Sequence, residues 1–264
     1  SHPELLDWLA CEFMDRGWSF KAMHRLITQS ATYRQASQIT RAHYERDPYN
    51  RLLARGARFR VEGEVVQDIA LSIGGLLNRQ LGGPSVYPPI PASAGDTVYG
   101  GLSWPESKGP DRYRRGMYTF WKRALPFPSM LSFDAPTAEN ACPRRVRSNT
   151  PLQALTTLNE KTYVEAAKAM ALRIVKEGGA DNDTRTTFAF RLATGRRPSD
   201  KELRTLLNFW EEQYRYFEDR TAAAVQVAAL DPSQLPQEVN LHKVAAWTMV
   251  SRAILNLDET MTKE

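Results

Sequence analysis

"RRVRSNTPLQAL", residues 144–155, is where the character of the chain changes. Its second half carries the start signals of a helix. Thr150 is a good N-cap, Pro151 suits the first helical position, and Gln153 stands three residues after the cap, the spacing of a capping box. Beyond it Leu155, Leu158, Tyr163, Ala167, Met170 and Ile174 follow helical spacing, with Asn159 placed to break the run in two and Gly178-Gly179 to end it. The first half is different: three arginines fall within four positions, directly before a helix end that already carries partial positive charge.

Read outward from this junction, both flanks are helical. Downstream, residues 184–194 form a helix ended by Gly195 and Pro198. "SDKE", 199–202, is a second capping box opening a helix to about Tyr216, residues 218–229 are alanine-rich, and 240–256 place Leu241, Val244, Ala245, Trp247 and Ile254 on an apolar helix. Upstream, Leu5, Leu6, Leu9 and Phe13 define a helix over 3–15 that Gly17 closes. Ser19 caps another helix carrying Phe20, Met23 and Ile27, and 60–78 hold Val65, Ile69, Ile73 and Leu76 at helical spacing. Gly74-Gly75 weakens that last helix or lets a second backbone come close. Between the flanks, residues 80–112 are dense in Gly, Pro and Ser, with Tyr87, Tyr99 and Trp104 arguing for an ordered surface excursion, and "YRRGMYTFWKR", 113–123, has the aromatic content of a short strand. The expected fold is mainly α: one bundle-like domain over 1–264, helical at 1–78 and 150–264, with an irregular Gly/Pro-rich middle at 79–149 and at most short strands. It reads as a fragment of a longer protein.

With 264 residues, 42% hydrophobic and 25% charged, the chain can bury a core without staples. No apolar run is long enough for a membrane span, and Ser1 to Cys11 reads as the start of an amphipathic helix rather than a signal peptide. Cys11 and Cys142 are either free thiols or a disulfide; sequence leaves both open. No C-x-x-C-H is present for covalent haem, and His2, His24, His43 and His242 lack ligand spacing, so no metal and no cofactor are expected on this chain.

Charge is concentrated. Residues 112–147 hold eight basic and two acidic residues, a net +6, whereas the remainder has 27 basic and 28 acidic residues. Arginine forks match carboxylates, phosphates and sulfates in a bidentate way, and a helix N-terminus adds unpaired N–H groups. Two readings stay open. In one, the protein's own acids (Asp111, Asp134, Glu139) clasp the arginines and pin the irregular middle. In the other, an external anion such as an acidic or sulfated glycan lands on Arg115, Arg123, Arg144, Arg145 and Arg147, with Asn149 and Gln153 orienting it and Asp134 positioning the forks. Nucleic acid is disfavoured, because the rest of the chain is slightly acidic. No G-x-S-x-G, H-E-x-x-H or P-loop occurs, "LGGPSV" lacks a phosphate-cradling lysine, and only the fold sets the distance between Asp134 and Glu139 as a carboxylate pair for a glycan-active enzyme. Asp68 reads as a partner for an arginine, and His24 as a helix-surface residue.

The strings "HPELLDWLA", "GWSFKAMHRLITQSATYRQAS", "DPYNRLLAR", "GGPSVYPP", "DRYRRGMYTFWKR", "FDAPTAENACPRRVRSNTPLQALTTLN" and "LATGRRPSDKEL", in this order, resemble the planctomycete-specific domain of unknown function 1553, in its C-terminal part. The closing "AWTMVSRAILNLDETMTKE" fits the end of that domain. The resemblance implies a parent protein with a c-type cytochrome-like domain upstream, hence haem on a separate domain, an export signal, and a periplasmic or envelope location. It also implies docking partners among the upstream domains of the same polypeptide. "PTAENAC" departs from the family pattern, which more often has an arginine before the glutamate, and a site built on that arginine would be altered here.

Overall fold

A computed structural model describes residues 2–91, 104–228 and 240–263. The part of the expected surface excursion that holds Tyr99, and the end of the expected alanine-rich helix at Ala229, lie outside the described residues. The architecture is mainly α: twelve helices stand among the described residues beside one two-stranded sheet. In chain order these are α1 (Pro3–Asp15), α2 (Phe20–Gln29), α3 (Arg41–Arg46), β1 (Phe59–Arg60), α4 (Gly63–Gly74), α5 (Pro128–Ser132), α6 (Pro151–Asn159), α7 (Lys161–Glu177), α8 (Asn182–Thr194), α9 (Asp200–Glu218), α10 (Thr221–Ala228), α11 (Leu241–Leu255), α12 (Asp258–Met261) and β2 (Thr262–Lys263). They fall into two compact units, residues 1–59 with 262–264, and residues 60–261.

The larger unit is built around α7 and α11. Along α7, Ala166, Ala167, Met170, Ala171 and Ile174 are fully buried, and along α11 so are Val244, Ala245, Ala246, Trp247, Val250 and Ile254. Alternating alanines with large side chains lets helix axes approach while Met170, Ile174 and Trp247 fill the gaps. α7 packs on α11 and α4, and α11 also on α9 and α10. Trp247 meets Trp210 of α9 with ring centroids 5.6 Å apart. The Gly74-Gly75 pair does both things expected of it. A Cβ on Gly74 would lie 2.7 Å from the Ala166 carbonyl oxygen, so α4 and α7 touch backbone to backbone, and Gly75, at φ +76°, closes the helix in the left-handed region.

The start signals hold where the polar groups are free to use them. Thr150 accepts from Gln153 N–H at 3.4 Å, α6 ends at Asn159, and Ser199 with Glu202 forms the full capping box of α9. The expected strand at 113–123 is instead two 3-10 turns, Gly109–Tyr113 and Gly116–Tyr118, with isolated bridges Asn78–Arg114 and Val86–Thr119. Gly116 explains the difference. A Cβ there would lie 2.7 Å from the Glu64 carbonyl oxygen, so the chain is bent onto α4 rather than extended. The rest of the irregular middle is held by a second, smaller core of Phe127, Met130 and Ala135, flanked by Ile90, Trp104 and Trp121. There Trp104 stacks on Phe127 and donates from Nε1 to the Pro88 carbonyl at 2.7 Å.

In the smaller unit α1 and α2 form a hairpin. Gly17 and Trp18, both in the left-handed region, make its turn, and Trp18 N–H donates to the Phe13 carbonyl at 2.9 Å. Asp47 braces the following loop by accepting from the N–H groups of Arg51 and Leu52, which hold its carboxyl below the usual range.

Candidate functional site

The arginine window lies in the larger unit, and most of its forks are already engaged. The partners are not Asp111, Asp134 or Glu139: apart from Glu106, six positions from Arg112, the acids that meet these forks come from far away in sequence. Arg112 makes a two-pronged bond to Glu165 of α7, at 2.9 and 2.6 Å, and a further pair with Glu106. Its guanidinium is held well above its ordinary range, first by the bonds to Glu165 and then by those to Glu106. Arg115 pairs with Asp68 of α4 at 3.2 Å, and the same carboxylate accepts from Gly116 N–H at 2.6 Å. Asp68 is thus an arginine partner, as its place on the helix indicated.

Arg114 meets no acid among the described residues. It is 2% exposed, lies 3.8 Å over the Tyr118 ring, and donates to the carbonyls of Pro84 and Gln80. "LGGPSV" therefore acts as a carbonyl cage for a cation, with Gly82 and Gly83 in the left-handed conformations that turn those carbonyls inward.

At the opening arginines, Arg145 reaches the acids around the start of α4: Glu62 at 3.1 Å and Glu64 at 2.8 Å. Hydrogen bonding to Glu64 raises the Arg145 guanidinium above its usual value. Arg147 lies 3.5 Å from Glu62. Two glutamates beside a helix N-terminus meet the helix dipole and the arginine forks together, which relieves the like-charge crowding posed by the sequence. Around them the surface forms an open cleft of about 600 Å³ lined by Glu62, Arg144, Arg145, Val146 and Arg147.

Asp134 does not position an arginine. Its Oδ2 accepts from the Ser148 N–H at 2.8 Å, the Ser148 hydroxyl at 2.7 Å and Gln153 Nε2 at 3.4 Å. The reason is local. Asp134 sits at φ +59° just after α5 and faces the extended stretch before α6, whose free N–H groups compete successfully for it. Gln153 consequently turns toward Asp134 and Ser148 rather than back to its own cap, so the α6 box is half formed. Asn149 donates to Asp258 at 3.3 Å. The structure thus brings Arg144, Arg145 and Arg147 around Glu62, and sets Asp134, Ser148 and Gln153 together beside them. It leaves Arg123 exposed and outside this cleft, and Arg115 on α4's own acid. Glu139 is exposed, and its carboxylate has no partner among the described residues, while Asp134 is occupied by three bonds. Glu62, Glu64, Glu106 and Glu165 were not singled out from sequence. "EGE" at 62–64, a pair of acidic residues at a helix start, was the available signal.

Beside the Arg112 pair lies an acid with no ion-pair partner among the described residues. Glu160, between α6 and α7, accepts from Thr162 N–H at 3.2 Å. Burial, with the charge of Glu165 adding to it, pushes its carboxyl up to about 7. Among the described residues no group of three or more His, Cys, Asp or Glu is placed to hold a metal ion, and no helix is long and apolar enough to cross a membrane. Cys11 and Cys142 are free and exposed.

A family model described as protein of unknown function, DUF1553, also called PSD1, matches residues 1–210. The chain belongs to this DUF1553 family. The match takes in the whole arginine window, the acids of α4 and Glu165 of α7, which clasp it. No curated protein and no solved structure matches the chain.

Proposed function

We propose that this DUF1553 chain is a helical docking module that packs against further domains of its own polypeptide outside the cytoplasm, with the arginine window as its internal pins. The observation that carries this reading is the pairing of the forks. Arg112, Arg115, Arg145 and Arg147 meet carboxylates, and Arg114 meets main-chain carbonyls. These bonds tie residues 106–147 to α4 and α7, which is what a loop-rich middle needs for rigidity. The docking face is supplied by the α1–α2 hairpin. Met23 is the one buried apolar side chain of the two helices, while Leu6, Trp18 and Phe20 are 64–70% exposed. Clustered exposed apolar side chains of this kind mark interaction surfaces.

Two measurements test the reading. Arg145→Ala should lower the melting temperature by about 3–6 °C, the worth of roughly 1–2 kcal/mol for a half-exposed pair. Amide exchange of α1 and α2 should slow markedly in the intact parent polypeptide relative to this 264-residue chain. Equal exchange in both settings removes the docking role, and an unchanged melting temperature removes the pins.

A further inference from the structure

The cleft beside Arg145 continues into a feature that pinning does not explain. A pit of about 10 Å³ shares Glu62, Arg145, Val146 and Arg147 with the cleft and is also lined by Asp134, Ser148 and Gln153. That volume holds one water or one hydroxyl group. Gln153 is 1% exposed, and its Nε2 is spent on Asp134 and Ser148. Its Oε1, however, is buried and receives no hydrogen bond among the described residues. A buried acceptor left this way costs about 1–3 kcal/mol, so the pit calls for an O–H donor.

The cleft itself calls for an anion of limited charge. Arg144 is exposed there and has no partner among the described residues. Arg145 and Arg147 are engaged by Glu62 and Glu64, so Arg144 is the cleft fork left for an external anion, and a single fork suits a single negative charge.

We infer that the cleft and pit together bind a hydroxylated monoanion, a carboxylate or sulfate ester whose charge meets Arg144 while a neighbouring hydroxyl donates to Gln153 Oε1. This site is independent of the docking face. The test is calorimetric titration of the chain with glucuronate, glucose 6-sulfate, acetate, glucose and glucose 6-phosphate. Glucuronate or glucose 6-sulfate should bind at least about tenfold more tightly than acetate or glucose, since each half of the recognition is a hydrogen-bonded contact worth a factor of that order. Whichever of the two binds more tightly identifies the carboxylate or the sulfate. Arg144→Ala should weaken that binding by about tenfold or more at an unchanged melting temperature, because its side chain makes no hydrogen bond or ion pair among the described residues. The inference is overturned if acetate matches glucuronate, which would mean that the pit holds only water. Tighter binding of glucose 6-phosphate, indifference to Arg144→Ala, or no binding by any of the five would overturn it as well.

Discussion

Replacing Arg112 by methionine tests the internal-pin account most directly. The Arg112 and Glu165 side chains are each only 13% exposed, joined by two bonds at 2.9 and 2.6 Å, and Glu106 closes the cation's other side. Methionine keeps the length and the packing but removes every donor. Glu165 is then left half in the interior, near Glu160, which has no ion-pair partner among the described residues. Breaking one side of a buried pair costs about 3–5 kcal/mol, mainly because the surviving charge is stranded. For a chain of this size that lowers the melting temperature by roughly 6–15 °C. The companion variant, Arg112→Met with Glu165→Met, removes both charges, and should recover most of the loss, since well-packed apolar substitutes for a buried pair are often neutral or stabilising. Thermal unfolding followed by circular dichroism or calorimetry gives both numbers. The reasoning fails if the single variant melts within about 1 °C of wild type, or if the double variant melts lower than the single.

Further outcomes follow from the same geometry. Glu160 has a folded pKa of about 7, above the ordinary 4.5, so the folded state holds a proton that the unfolded state releases between those values, and stability falls as pH rises through that window. Glu160→Gln, which still accepts from Thr162 N–H, should therefore raise the melting temperature at pH 8 and leave it nearly unchanged at pH 4.5; no difference between the two pH values would refute this. Glu202 has the opposite sign: the bonds from Arg196 and then from Ser199 N–H hold it at about 2, so its contribution is lost as pH falls from 4.5 toward 2, and Glu202→Gln should flatten the acid limb of the stability curve. Gly74→Ala gains helix propensity on paper, yet should destabilise by about 1–3 kcal/mol, because its Cβ meets the Ala166 backbone rather than a movable side chain. Chemical denaturation that found this variant more stable would show that α4 and α7 are not in backbone contact.

The helical flanks were legible because their signals are local. Thr150, Ser19 and Ser199 each cap the helix that follows with their own oxygen, and Asn159, Gly75 and Gly195 end or divide helices where their backbone freedom or side chain favours it. A cap needs only three or four neighbouring residues to act. The segment 113–123 misled for the converse reason. Its aromatic and basic residues have strand propensity, but its conformation is decided by Gly116 lying on the Glu64 backbone and by Arg114 reaching back to the Gln80 and Pro84 carbonyls. Both contacts join residues some thirty to fifty positions apart, and no window of sequence contains them.

The charge imbalance shows the same limit at the site. A net +6 over residues 112–147 is a true property of the sequence, but a fork is satisfied in space and not along the chain. Glu62, Glu64, Asp68 and Glu165 stand 47 to 85 positions from the arginines they meet, and all lie at or on the two helices, α4 and α7, that hold the irregular middle. What sequence did locate was the surplus that pairing leaves behind. Once each engaged fork is matched with its acid or carbonyl, Arg144 remains in an open cleft and Gln153 Oε1 remains in the pit beside it. Both belong to the twelve residues around the helix start, where crowded cations and free N–H groups could not all be satisfied from within. An unmatched cation on the surface costs little, but an unmatched acceptor in the interior costs more than most surface contacts return. In the proposed site the decisive feature is therefore the buried glutamine and not the exposed arginines: the arginines would attract any anion, and the glutamine would distinguish those that carry a hydroxyl.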